Sequence, residues 1–145
     1  MPSDSINQTG YVSQLPVCEK SVSVEVSSDF SLPDYQPEIR RLLSTRVSVL
    51  PPSDYVGNDN AEFSGELSYH ILYVGSDGAL YSATLNDSYG FSAPLEYSAK
   101  STNADEVTLL APVRADSVLT RVLAPRKINI RSKLHADVLA LSPAI

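Results

Sequence analysis

Ala61-Glu62-Phe63-Ser64-Gly65-Glu66-Leu67-Ser68-Tyr69-His70-Ile71-Leu72-Tyr73-Val74 decides the fold class. Phe63, Leu67, Tyr69, Ile71 and Tyr73 share one parity, and Glu62, Ser64, Glu66, Ser68 and His70 share the other. A strict two-residue period places one set on a buried face and the other in water, which is a half-buried β-strand. Gly75-Ser76-Asp77-Gly78 follows as a hairpin turn, and Ala79–Leu85 reads as the returning partner strand.

The same period recurs on both sides. Val22, Val24 and Val26 alternate with Ser21, Ser23 and Glu25 in a strand ending near Phe30. Thr45–Leu50 reads as a strand that Pro51-Pro52 interrupts, which makes it an edge or a bent strand, and 53–60 reads as a turn-rich link. Asn86-Asp87-Ser88-Tyr89-Gly90 is expected to turn, and a further strand runs from Phe91 to Ala99, cut at Pro94. Ser101–Asp105 is a polar loop. From Glu106 a strand begins whose apolar phase blurs around Pro112, as at a bulge or bend, and Ala124-Pro125 ends it. In the last strand Ile128, Ile130, Leu134, Ala136 and Val138 oppose Lys127, Asn129, Arg131, Lys133, His135 and Asp137. Seven or eight strands at hairpin spacing predict a mainly-β antiparallel sandwich.

One segment departs from the pattern, Ser31-Leu32-Pro33-Asp34-Tyr35-Gln36-Pro37-Glu38-Ile39-Arg40-Arg41-Leu42-Leu43. Each proline lacks a backbone donor and pushes its predecessor toward an extended shape. Pro37 suits a first helical position and Glu38 suits the positive end of a helix dipole. Ile39, Leu42 and Leu43 fall at i, i+3 and i+4, while Arg40 and Arg41 point to water. The spacing predicts a short helix over about 37–44. Two turns are unstable alone, so this helix must dock on a sheet.

At 145 residues the chain suits a single domain, 21–141, preceded by a polar arm at 1–20 and followed by a tail at 142–145. The flexible arm has Tyr11, Leu15 and Val17 as apolar handholds and is expected to stay loose, to lie over its own domain or to add to a neighbour's sheet edge. Cys18 is the only cysteine, so no intramolecular disulfide forms. Its bland reading is a small side chain, and its sharper one is a covalent link between subunits. Residues 1–20 carry no signal peptide and no apolar run reaches membrane-spanning length, so synthesis in the cytoplasm without membrane insertion is expected.

A net charge of −6 disfavours nucleic acid as a partner. The charge is uneven. Residues 1–106 hold 5 Lys/Arg against 15 Asp/Glu, net −10, and residues 107–145 hold 6 against 2, net +4. Acidic and basic strands paired within one sheet account for this, and so does head-to-tail stacking of oppositely charged ends. In the stacking case the basic residues Arg126, Lys127, Arg131 and Lys133 would meet an acidic surface.

Chemistry is sparse. His70 and His135 both fall on polar strand faces, and no third ligand stands at metal-site spacing. No phosphate loop, serine elbow or Cys/His pattern occurs. Tyr81, Tyr89 and Tyr97 are candidates for stacking on sugars, or else core and cross-strand residues. Scattered carboxylates converge on a glycosidase pair only if the fold brings two together. No catalytic residue, metal, cofactor or small-molecule substrate is expected.

Leu32-Pro33-Asp34-Tyr35-Gln36-Pro37-Glu38-Ile39 followed by Leu42-Leu43 resembles the signature of the SPOCS domain, found in SipL-type spore-coat morphogenesis proteins of endospore-forming bacteria. Gly65-Glu66-Leu67 leading to Ile71–Val74, Phe91-Ser92, and Arg126–Arg131 are similar to later parts of that pattern, so the match covers roughly 21–141. The resemblance implies a non-enzymatic, protein-binding β domain at the spore surface or coat, with itself or other envelope proteins as partners. A lone copy with an arm is expected to be a small self-assembling subunit or accessory coat component. The alternative is a sandwich module that binds carbohydrate or peptidoglycan.

Overall fold

The computed structural model describes residues 14–56, 60–94 and 108–143. Eight strands follow one another: β1 (Gln14–Ser31), β2 (Ile39–Val49), β3 (Ser53–Val56), β4 (Asn60–Gly75), β5 (Leu80–Pro94), β6 (Thr108–Leu110), β7 (Val113–Ala124) and β8 (Lys127–Pro143). They form two antiparallel sheets stacked as a sandwich. In one, β8 is central, with β1 on one side and β6 and β7 end to end on the other. In the second, β4 is central, with β5 on one side and β2 and β3 end to end on the other. Each broken side is interrupted by proline, at Pro51-Pro52 and at Pro112, which cannot donate to a ladder.

The two central strands make the core. Leu67, Tyr69, Ile71 and Tyr73 of β4 face Ile128, Ile130, Leu134 and Val138 of β8, all essentially without solvent contact. These are the alternating sets read from the sequence, and a sheet buries one face in this way. Phe30 of β1 meets the edge of the Tyr69 ring at 5.9 Å between centroids, and Phe63 stacks on Phe91 at 4.9 Å. Toward the far end Ala61, Ala93 and Ala140 form a smaller cluster with Phe63 and Val138.

Two hydroxyl pairs and one hydroxyl–carboxylate bond join the sheets. Tyr69 Oη and Ser132 Oγ lie 2.7 Å apart in the middle of the core, where Ser132 is the one buried polar side chain among the described residues. Thr45 and Thr120 hydroxyls, also 2.7 Å apart, connect β2 to β7. Ser28 donates to the Asp87 carboxylate, connecting β1 to β5. Buried polar groups persist only when partnered, so these pairs fix how the sheets sit on each other.

Three expectations are corrected. No helix forms at about 37–44, because Ile39–Val49 is strand β2. Its register on β4 slips between Ile39 and Arg41 and again between Leu42 and Ser44. The extra residues, Arg40 and Leu43, stretch the inward spacing of Ile39, Leu42 and Thr45 to three, which imitates a helical period. Two isolated turns could not compete with a sheet that needed the β-branched run Thr45-Arg46-Val47-Ser48-Val49 as its edge. Second, Asn86–Gly90 is not a turn, since β5 runs unbroken through it with Asp87 and Tyr89 inward and Asn86, Ser88 and Gly90 outward. Third, the arm is shorter than expected, because the backbone pairs with β8 from Gln14 onward, and 53–56 is strand rather than link.

Replacing Tyr69 by Phe strands the buried Ser132 hydroxyl and is expected to cost about 1–3 kcal/mol of unfolding free energy. Tyr69→Phe with Ser132→Ala removes both partners and should recover most of that loss. Denaturant unfolding of the two variants and the parent measures both values.

Candidate functional site

The segment 32–38 crosses from β1 in one sheet to β2 in the other, and the turn between β7 and β8 holds it. Leu32 N–H donates to Arg126 O at 2.7 Å and Ile39 N–H to Pro125 O at 2.8 Å. The Arg126 guanidinium donates to Pro33 O at 2.9 Å and also to Gln36 O. Ser76 N–H, in the β4–β5 turn, donates to Glu38 O at 2.9 Å. The Tyr73 hydroxyl sits 2.8 Å from Gln36 Oε1 and 2.9 Å from Pro37 O, so its one hydrogen serves either acceptor. The two prolines remove backbone donors from the segment, and the Pro33 and Gln36 carbonyls accept from the charged Arg126 side chain while Pro37 O faces the Tyr73 hydroxyl.

The motif residues therefore divide. Leu32 and Ile39 are core anchors and Leu42 packs beside them, while Pro33, Pro37 and Glu38 contribute carbonyls. Asp34 is exposed, Tyr35 is 85% exposed and Leu43 is 38% exposed. Arg126 is committed to the crossover. Lys127 and Lys133 project into water, and Arg131 lies 3.9 Å from Glu25 on the neighbouring strand. Acidic β1 beside basic β8 is the cross-strand arrangement anticipated from the charge distribution, with Glu25 opposite Lys133. Of the arm residues, Leu15 and Cys18 are ladder positions of β1, Val17 falls at the bulge between Pro16 and Cys18, and Tyr11 lies outside the described residues.

The backbone of Gly65 packs directly under an aromatic ring. It pairs with Tyr89, whose ring lies across it and would overlap any Cβ there, while the Tyr89 hydroxyl donates to Leu50 O at 2.7 Å. Gly78, at φ 84°, occupies the left-handed position of the β4–β5 turn. Tyr89 is thus buried, Tyr81 is half-buried with its ring beside that of Tyr73, and Tyr97 lies outside the described residues. His70 lies 3.2 Å from the Thr84 hydroxyl and His135 2.9 Å from Asp137. The Asp137 carboxyl is held below its ordinary range, first by that His135 contact and then by Ser21. Among the described residues no three His, Cys, Asp or Glu side chains gather as a metal site.

Two features offer surface to a partner. An open, mostly apolar groove of about 570 Å³ lies between the proline interruptions, lined by Val49, Pro52, Phe63, Leu109 and Pro112. The sheet edges are the larger feature. β1, β2, β5 and β7 each pair on one side only within the described residues, over 11 to 18 residues apiece. Unpaired edges of this length are templates for association. Both β2 and β7 carry two register shifts, whereas β5 carries none. Comparison with known proteins adds nothing to this geometry: no family model matches the chain, and no similar curated protein or solved structure was found.

Burial raises the Tyr69, Tyr73 and Tyr89 phenols above their ordinary 10.0, and the hydrogen bond to Asp77 raises Tyr81. A folded-state value above the unfolded one means a stability contribution that is complete below pH 10.0 and is lost as pH rises through the folded values. Spectrophotometric titration should show these four of the eight tyrosines ionising late, with stability falling above pH 10. Eight tyrosines ionising together near pH 10 in the folded protein would contradict the packing.

Proposed function

We propose that this chain is a non-enzymatic, protein-binding β-sandwich of the bacterial spore envelope or coat that assembles with itself through its sheet edges and its N-terminal segment. The observation that carries the reading is the set of four long edge strands, β1, β2, β5 and β7, each with one partner among the described residues. The crossover supports the family resemblance on which the spore assignment rests. Several features of that motif (two prolines, a buried Leu and Ile, a basic residue at the start of the last strand) have a structural task in one hydrogen-bonded clasp. Such a clasp holds a scaffold rigid and contributes no reactive group.

The N-terminal segment remains the favoured connector, with Tyr11 as its aromatic anchor and 1–13 as its extent. The cut that tests it falls before Gln14, since removing more would strip β8 of ladder partners. Light scattering and negative-stain microscopy of the full chain and of residues 14–145 form the test. Ordered, concentration-dependent oligomers or fibres are expected from the full chain, with weaker or absent assembly after truncation. A chain that stays monomeric and binds no spore-envelope protein at micromolar concentration would overturn the reading.

A further inference from the structure

The two flanks of the sandwich carry opposite charge. On one flank β2 lies over β7, joined by the Thr45–Thr120 pair; on the other β1 lies over β5, joined by Ser28 and Asp87. The β2/β7 flank holds five arginines, Arg40, Arg41, Arg46, Arg114 and Arg121, against one carboxylate, Asp116. The β1/β5 flank holds four carboxylates, Glu19, Glu25, Asp29 and Asp87, against one lysine, Lys20. This partition follows from topology, because the flanks combine strands far apart in the chain.

Local pairing removes part of it, since Glu25 stands opposite Lys133 and Asp87 is turned inward to Ser28. Arg114 reaches Asp116 at 3.2 Å and Asp137 at 3.6 Å, and Glu25 reaches Arg131 at 3.9 Å. No carboxylate among the described residues lies within ion-pair distance of Arg40, Arg41, Arg46 or Arg121. The arginine flank also exposes apolar side chains, Leu43 and Leu123 at two of its bulges and Leu119 and Val122 between them, at 38–58%. Arginine mixed with exposed apolar groups is the composition of a protein interface, whereas exposed apolar groups alone are unremarkable.

The geometry points to a specific contact: the arginine flank of one copy docks on the acidic β1/β5 flank of a second copy. This rests on the assembly reading above and names the surfaces that would meet. In the first sheet Asp29, Asn129 and Arg121 form one row across β1, β8 and β7. A shift perpendicular to the strands therefore sets Arg121 beside Asp29 of the next copy. Two successive antiparallel pairings make β7 parallel to β1 and β2 parallel to β5, so one shift aligns both sheets at once. The bulges of β2 and β7 break the regular spacing of their edge groups, so side chains rather than a long backbone ladder carry the contact. A contact between two different surfaces does not close on itself, and repeated copies extend as a row.

The test is a charge swap read by sedimentation velocity at low salt. R41E/R46E/R121E makes both flanks acidic, and E19K/E25K/D29K makes both basic. All six side chains are exposed; the arginine swap should melt near the parent, whereas the lysine swap sets a lysine against Lys133 and removes the Asn129–Asp29 bond and should melt somewhat lower. Each variant alone is expected to self-associate at least about tenfold more weakly than the parent, since like charges then face each other. A one-to-one mixture of the two should recover association, and raising salt toward 1 M should weaken the parent, with screening within about 3 Å. Parent association that ignores both salt and the swaps would overturn this contact and leave the assembly reading standing on the N-terminal segment. A parent that is monomeric throughout would overturn both. The salt series on the parent decides the matter even if a variant fails to fold.

Discussion

The Arg126 guanidinium is the point on which the arrangement of this sandwich depends. A two-sheet fold needs at least one connection that leaves one sheet and enters the other, and such a connection has no ladder to satisfy its backbone. One such connection is 32–38, and the turn that ends β7 and starts β8 supplies what the ladder would have supplied. Two backbone carbonyls of that turn accept from Leu32 and Ile39, and Arg126 donates back to the carbonyls of Pro33 and Gln36. With Ser76 donating from the β4–β5 turn, three separated parts of the chain meet at one end of the molecule. Leu32 and Ile39 then enter the core as the first contacts of the two sheets.

From that end the labour divides cleanly between central and edge strands. β4 and β8 hold nearly all the fully buried side chains, and the Tyr69–Ser132 pair fixes one against the other. The edge strands contribute half-buried Val, Tyr and Phe on their inner sides and keep their arginines and most of their serines outward. Stability therefore resides in the middle, and the edges are free to differ in charge and regularity without endangering the core. Asp87 is an instructive exception. An acid on the inner side of edge strand β5, partnered by Ser28, penalises wrong pairing along that edge while still tying the sheets together.

Strands whose alternation is uninterrupted were fully legible: β4, β8 and most of β1 have the faces that their residue parity predicts. The kink at Pro112 was legible too, as a loss of phase. What misled was any place where an edge strand departs from strict pairing. In β2 two bulges turned a two-residue period into a three-residue one, and the prolines upstream completed the appearance of a helix start. In β5 the string Asn86-Asp87-Ser88-Tyr89-Gly90 has turn composition, yet its alternation is intact once Asp87 is accepted as an inward residue. The clasp could not be foreseen because its partners lie about ninety residues apart. The opposed flanks were hidden for the same reason, since charge summed along the chain mixes strands that topology sends to opposite sides.

Hydrogen exchange at the amides of Leu32, Ile39 and Ser76 tests the central claim most directly, that the clasp makes the two sheets one cooperative body. These amides lie outside the strand ladders, yet each has a specific carbonyl partner. They should exchange with the slow set of β4 and β8, through opening of the whole fold. Fast exchange at these three positions while β4 and β8 stay protected would mean that the crossover opens alone, and that the sheets are held together without it.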